Sequence, residues 1–200
     1  MSAASLDSSG RCALCLEGTR GFDAAYSFGA YDGRLRDLIH LFKYAGVRSL
    51  AKPLGRMANA ALPRTEPVDL IVPVPMHWLR RWRRGFNQAE SLARVVSRRT
   101  GLGVCTALRR TRKTAAQAVL THAERRENLA GVFRVPRPEI VRGKTILLMD
   151  DVFTTGATAS ACAQVLKKAG AKAVILLTLA RVDRRWAEPS GRSEKFSGDS

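Results

Sequence analysis

Residues 146–158 read Ile146-Leu-Leu-Met-Asp-Asp-Val-Phe-Thr-Thr-Gly-Ala-Thr158. Four apolar residues in a row, with no polar alternation, predict a strand buried on both faces. Such a strand needs a parallel sheet with helices packed above and below. The hydroxyl- and glycine-rich turn that follows opens a helix over Gly156–Ala169. That helix buries Cys162, Val165, Leu166 and Ala169, and Gly170 stops it.

The rest of the chain alternates in the same way. Ala25–Tyr31 is strand-like. From Arg34 to Tyr44, Leu35, Leu38, Ile39 and Phe42 recur at helical spacing. A second helix over 49–62 turns Leu50, Leu54, Met57, Ala58 and Ala61 inward and ends at Pro63. Asp69–Pro73 is a short buried strand. Phe86–Thr100 is a helix with Phe86, Ala89, Leu92, Ala93 and Val96 on one face and Gly101 as its stop. Residues 109–122 hold turn formers, hydroxyls and positive charge without periodicity and are expected to form a mobile loop. Lys144–Met149 and Ala171–Ala180 complete the strands. The expected fold class is α/β, a parallel sheet flanked by helices over 25–182. A short Cys-containing lead-in over 1–24 precedes it, and a disordered tail over 183–200 follows.

Two hundred residues suffice for one domain with a sizeable core. No apolar run approaches the roughly 20 residues of a membrane span. The opening MSAASLDSSG lacks the charged and apolar regions of a secretory signal, so a cytoplasmic location is expected. The charge is unusual: 34 Lys and Arg against 17 Asp and Glu leave +17. That excess suggests a polyanionic partner: nucleic acid, a phosphorylated metabolite or a membrane surface. Between 80 and 142 there are 16 Lys and Arg against 4 Asp and Glu, so the excess gathers there.

The chemistry sits in the 146–158 segment. Ligands of open α/β sheets bind at the carboxyl ends of the strands. Here the turn places backbone N–H groups and the hydroxyls of Thr154, Thr155 and Thr158 at a helix N-terminus, where an anion is favoured. Gly156 lets the backbone approach that anion. Asp150 and Asp151 would repel a phosphate, but adjacent carboxylates suit the two hydroxyls of a ribose. Phosphate cradle and diol acceptors together describe a site for a ribose 5-phosphate. The segment is neither a Walker A loop nor a dinucleotide-binding turn, because the glycine and lysine spacings of both are absent.

With its four apolar residues, two acids and T-T-G-x-T, this segment resembles the phosphoribosyl pyrophosphate (PRPP) motif of type I phosphoribosyltransferases. Other elements resemble one branch of that superfamily, the ComF (competence protein F) family. They are Phe28–Tyr31, Leu41–Lys43, Val72–His77, Arg84–Gln88, Arg109 with Arg112–Gln117, Arg125-x-x-Asn128 and Gly131-x-Phe133. The resemblance implies a type I phosphoribosyltransferase-like fold, with Asp150 and Asp151 at the catalytic positions holding the ribose hydroxyls. Thr154, Thr155, Gly156, Ala157 and Thr158 would hold the 5-phosphate. Val74, Pro75 and Met76 would form the pyrophosphate loop. Arg109, Arg112, Lys113 and Gln117 would lie on a flexible loop that closes the site. Arg84 and Asn87 would either brace the pyrophosphate loop or bind ligand. Mg²⁺ would arrive on the phosphates of PRPP. The function implied is PRPP binding with transfer to an unidentified acceptor. The alternative is a non-catalytic PRPP-binding accessory factor of DNA uptake that works with the competence machinery and contacts single-stranded DNA.

Two features stand apart. Cys12 and Cys15 have the C-x-x-C spacing of half a zinc site, but no second closely spaced Cys/His pair is present. ComF members commonly carry both pairs, so an unmetallated pair is expected, with completion by a partner chain as the alternative. Trp78–Arg84 interleaves two tryptophans with Arg80, Arg81, Arg83 and Arg84. That combination suits stacking and phosphate neutralisation on a single strand, a solvated basic turn, or the fringe of a pyrophosphate site.

Overall fold

The computed structural model describes residues 21–76, 85–111 and 131–182. Their core is a six-stranded sheet in which every pairing is parallel. Its strands are β1 (Ala24–Ala30), β2 (Leu70–Pro73), β3 (Gly103–Val104), β6 (Thr145–Met149), β7 (Val152–Phe153) and β8 (Ala173–Arg181). The order across the sheet is β1-β8-β6-β2-β3, and β7 also pairs with β8. A small antiparallel ladder, β4 (Arg109–Arg110) with β5 (Phe133–Arg134), stands apart.

β6 and β8 are central and apolar, as expected for strands covered on both sides. Their side chains alternate between two cores. Ile146, Leu148, Val174 and Leu176 pack with Cys162, Ala163 and Leu166 of helix α4 (Ala157–Lys168), and with Leu108 and Phe133 beside the small ladder. Leu147, Met149, Ile175 and Leu177 face the opposite way, toward α1 (Gly33–Tyr44), α2 (Ala51–Ala61) and α3 (Gln88–Thr100). Each of these helices presents the residues its periodicity predicts: Ile39 and Phe42 from α1, Leu54 and Ala58 from α2, Leu92, Ala93 and Val96 from α3.

The helix ends follow local chemistry. Pro53 falls in the first turn of α2, where its missing N–H breaks no helical bond. A 3-10 turn at Arg48–Leu50 replaces the start of the helix expected from 49. At α3, the Asn87 side chain accepts from Ala89 N at 3.1 Å, and Gly101 closes the far end with φ 77°.

The expected loop over 109–122 begins differently. Arg109 and Arg110 are paired with Arg134 and Phe133, and the Thr111 hydroxyl lies 3.1 Å from the carbonyls of both Gly131 and Val132. Residues 112–122 lie outside the described residues, as do the lead-in to residue 20 and the tail from 183. Among the described residues no helix is long and apolar enough to cross a membrane.

The contact between α2 and α3 depends on a missing side chain. A Cβ on Gly55 would lie 2.5 Å from Val95 Cβ, well inside van der Waals contact. Gly55→Ala should therefore lower stability by about 1–3 kcal/mol, although alanine is the better helix former by about 1 kcal/mol. Urea unfolding of the two proteins measures the difference; a more stable Ala variant would contradict this packing.

Candidate functional site

The two acids interrupt a strand that otherwise continues. Met149 lies opposite Leu177 and Val152 opposite Ala180, so β6 and β7 run along β8 in a single register. Hydrogen bonds bridge the gap: Asp150 N to Leu177 O at 3.0 Å, and Leu179 N to Asp151 O at 3.0 Å. The side chains of the two acids part: Asp150 lies on the α4 side, near the Cys162 thiol, and Asp151 on the α1 side, against Lys43.

On that second side Lys43 Nζ sits 2.9 Å from Asp151 Oδ1, with both side chains about 15 % exposed (15 % and 14 %). Lys43 is the penultimate residue of α1, and burial of Ile39 and Phe42 presses that helix onto the sheet. Burial pushes the Lys43 ammonium down, but the charge and hydrogen bond of Asp151, with Asp150 and Tyr31 beyond, hold it above its ordinary value. Asp150 takes the opposite burden. Desolvation, then the neighbouring Asp151 charge, raise its carboxyl to about 7, against the Asp151 backbone N–H and Lys43. Behind it, burial and then Asp150 push the Cys162 thiol well above the usual range, so Cys162 is a core residue, as its helix position predicted.

After β7 the chain turns into α4 through Gly156, whose φ of 78° is the left-handed region that glycine adopts without strain. Thr155 Oγ1 accepts from Ala157 N at 3.3 Å. A helix's first turn leaves its N–H groups without helical acceptors, and here they adjoin the Thr154 and Thr158 side chains that line the pocket.

The pocket has a volume of about 330 Å³. It gathers Tyr31, Lys43, Tyr44, Val74, Pro75, Met76, Asn87, Ala89, Arg110, Asp150, Asp151, Val152, Thr154 and Thr158. A recess of about 40 Å³ beside it adds Gly156 and Thr178. The candidates Val74–Met76 thus stand on the β2 side of the acids. Val74 is pinned twice: its N–H donates to Met149 O at 2.9 Å, and its carbonyl accepts from Asn87 Nδ2 at 3.1 Å. Asn87 therefore braces that loop while capping α3. Tyr31 and Tyr44 form the wall on the β1 side, both in ring contact with His40, at 6.4 and 5.3 Å between centroids.

The structure thus gathers Asp150, Asp151, Thr154, Thr158 and Val74–Met76 in one pocket, with Gly156 in the adjoining recess and Thr155 and Ala157 in the intervening turn. Arg109 is exposed and does not line it; the next residue, Arg110, does, with its guanidinium 5.6 Å over the Phe133 ring. Arg112, Lys113 and Gln117 lie outside the described residues, as do Arg80, Arg81, Arg83, Arg84, Cys12 and Cys15. Sequence reasoning gave no role to Lys43, Tyr31, Tyr44 or Arg110. The signals available were the place of Lys43 and Tyr31 within the segments Leu41–Lys43 and Phe28–Tyr31 that resemble the family and, for Lys43, a cation in the last turn of an amphipathic helix.

Comparison with known proteins shows the family. Residues 82–196 match the phosphoribosyl transferase domain. The DNA utilization protein YhgH of Escherichia coli K12 is 35% identical over 177 residues, covering 85% of this chain and 77% of that protein. Competence protein F of Haemophilus influenzae is 32% identical over 179 residues, covering 85% and 78%. Among solved structures, the glutamine PRPP amidotransferase from B. subtilis complexed with ADP and GMP gives a TM-score of 0.46 at 22% identity, over 65% of this chain and 26% of that one.

The raised Asp150 has a consequence for stability. The folded chain holds this proton to about pH 7 and the unfolded chain only to about 3.8. Between those values the folded state binds more protons, so this carboxyl destabilises the fold progressively as pH rises to 7. Asp150→Asn keeps the acceptor for Asp151 N and removes the ionisation. Denaturant unfolding should show it more stable than the parent by more than about 1 kcal/mol at pH 8, with the gain vanishing near pH 4. An equal gain at both pH values would contradict the assignment.

Proposed function

Because the chain belongs to the phosphoribosyl transferase domain family, in the branch of competence protein F and the DNA utilization proteins, we propose that its pocket binds PRPP and transfers the phosphoribosyl group. The observation that supports this most is the single register of β6 and β7. It sets two carboxylates and a helix-opening Thr/Gly turn around one cavity.

In this reading the turn over Thr154–Thr158 receives the 5-phosphate through N–H groups and hydroxyls. Asp150 and Asp151 accept from the ribose 2- and 3-hydroxyls. The pyrophosphate lies against Val74–Met76, held in place by Asn87, with Arg110 contributing positive charge. The C1–oxygen bond to pyrophosphate breaks with its electron pair leaving on oxygen. An acceptor nucleophile bonds to C1 and gives up its proton. The protein's share is to position the groups and stabilise the leaving charge. With Asp151 already engaged by Lys43, Mg²⁺ would be carried by the ligand's phosphates and would supply charge neutralisation there.

A second reading has its own support. The charge of +17 exceeds what one small ligand needs, and the relatives are named for DNA utilization and competence. In that reading the side chains of Arg80, Arg81, Arg83 and Arg84 are the candidates for contacting single-stranded DNA.

One calorimetric experiment addresses both readings. PRPP with Mg²⁺ should bind the parent protein, and Asp150→Asn with Asp151→Asn should weaken it at least about tenfold, given 1.5–3 kcal/mol for each charge-assisted hydrogen bond. Unchanged affinity would remove the ribose-site assignment. Repeated with a single-stranded oligonucleotide, the titration should show affinity that falls with salt and disappears when the four arginines are replaced by glutamine. Salt-independent binding, or none, would remove the DNA reading.

A further inference from the structure

Lys43 is placed as no solvent-facing lysine would be. A cation in the last turn of a helix is ordinarily favoured by the helix dipole and leaves its ammonium in water. This one reaches out of α1 to a carboxylate at the end of the neighbouring sheet, 2.9 Å away, with both side chains largely withdrawn from solvent. Exposed ion pairs hold little, whereas a shielded one orients its partners, and loss of either member strands the other.

Its partner belongs to a pair that needs such a decision. Asp150 and Asp151 are adjacent, Asp150 Oδ1 accepts the Asp151 amide at 2.9 Å, and both line the same cavity. Two carboxyls this close do not ionise independently. The titratable and charged groups facing them come from every surrounding element: Tyr31 after β1, Lys43 and Tyr44 from α1, Arg110 from β4, and Cys162 from α4.

We propose that Lys43 is a positioning residue of the diol site: through its 2.9 Å ion pair it holds the Asp151 carboxylate in place as the acceptor for one ligand hydroxyl, beside Asp150, which accepts the other. The inference rests on the phosphoribosyl reading and adds to it a residue on α1, far in sequence from the motif. It also sets a direction for pH dependence. Diol binding needs both carboxylates as acceptors, so it weakens as pH falls through the range in which Asp150 takes up its proton. Lys43 opposes that uptake, so its removal should shift the whole profile toward alkaline pH.

The test uses the full chain, ribose 5-phosphate and inorganic phosphate, in the parent, Lys43→Met and Lys43→Arg proteins. Calorimetric titrations run from pH 5.5 to 9. At pH 7.5 Lys43→Met should weaken ribose 5-phosphate binding at least about tenfold, the loss of one charged hydrogen-bonding partner. It should also move the midpoint of the pH profile up by about one unit. Inorganic phosphate, which needs only the Thr/Gly turn, should bind both proteins within about twofold, and Lys43→Arg should recover most of the affinity. Parent-like binding and profile in Lys43→Met would overturn the proposal, and so would equal loss of both ligands. A parallel carbon-13 titration of the aspartate carboxyls in the free proteins separates this claim from the one it rests on. If the parent binds no ribose 5-phosphate, the phosphoribosyl reading fails. The clamp is then judged by whether Lys43→Met moves the pair's proton uptake upward, and an unmoved titration overturns it. Lys43→Arg, which keeps the charge, serves the same titration if the Met variant does not fold: parent-like proton uptake supports the clamp, and uptake raised as if the charge were gone overturns it.

Discussion

β8 holds the candidate site together. It pairs with β6 up to Met149, receives the backbone of Asp150 and Asp151, and pairs again with β7. The backbone of both acids is held to β8, Asp150 N at the Leu177 carbonyl and Asp151 O at Leu179 N. One side chain goes to the α4 core and the other to the α1 core. A slip of one residue would exchange them and put Leu148 and Met149 in the wrong cores as well. The same packing that stabilises the sheet therefore fixes the chemistry at its end.

Three further walls of the pocket are brought to that point by the parallel topology. Strands of one direction end at one edge of the sheet, so Tyr31 after β1, Val74 after β2 and Thr154 after β7 converge although more than a hundred residues separate the first from the last. Asn87 and Lys43 then tie helices to this edge, Asn87 through the Val74 carbonyl and Lys43 through Asp151. The arrangement carries a cost. Asp150 is desolvated beside a second carboxyl, an unfavourable setting that the surrounding cores must outweigh and that ligand hydroxyls would relieve.

Much of this was legible in the sequence, and the reasons are specific. The helices over 34–44, 86–100 and 156–169 announced themselves because each buries a stripe at helical spacing. β6 and β8 did so because they are apolar without interruption. The motif was readable because its parts are contiguous. What escaped were features set by pairing between distant segments. β3, β4, β5 and β7 are two residues long, too short for any period, and exist because a partner strand lies beside them. Val152 and Phe153 read as part of a turn, whereas β8 extends far enough to pair with them. Arg109 and Arg110 were indistinguishable by composition; pairing with β5 exposes the first and turns the second to the cavity. Lys43 is a lysine at a helix end until the sheet supplies Asp151.

In the proposed site the acids read a ribose diol while the turn reads the phosphate of the same ligand. The direct measurement is the affinity of the parent protein for ribose 5-phosphate against 2-deoxyribose 5-phosphate, by calorimetry at pH 8. Sites built to hydrogen-bond a hydroxyl discriminate strongly against the analogue that lacks it. The deoxy sugar should bind at least about tenfold more weakly, and Asp150→Asn with Asp151→Asn should erase the difference. Equal affinity for the two sugars in the parent protein would contradict the account.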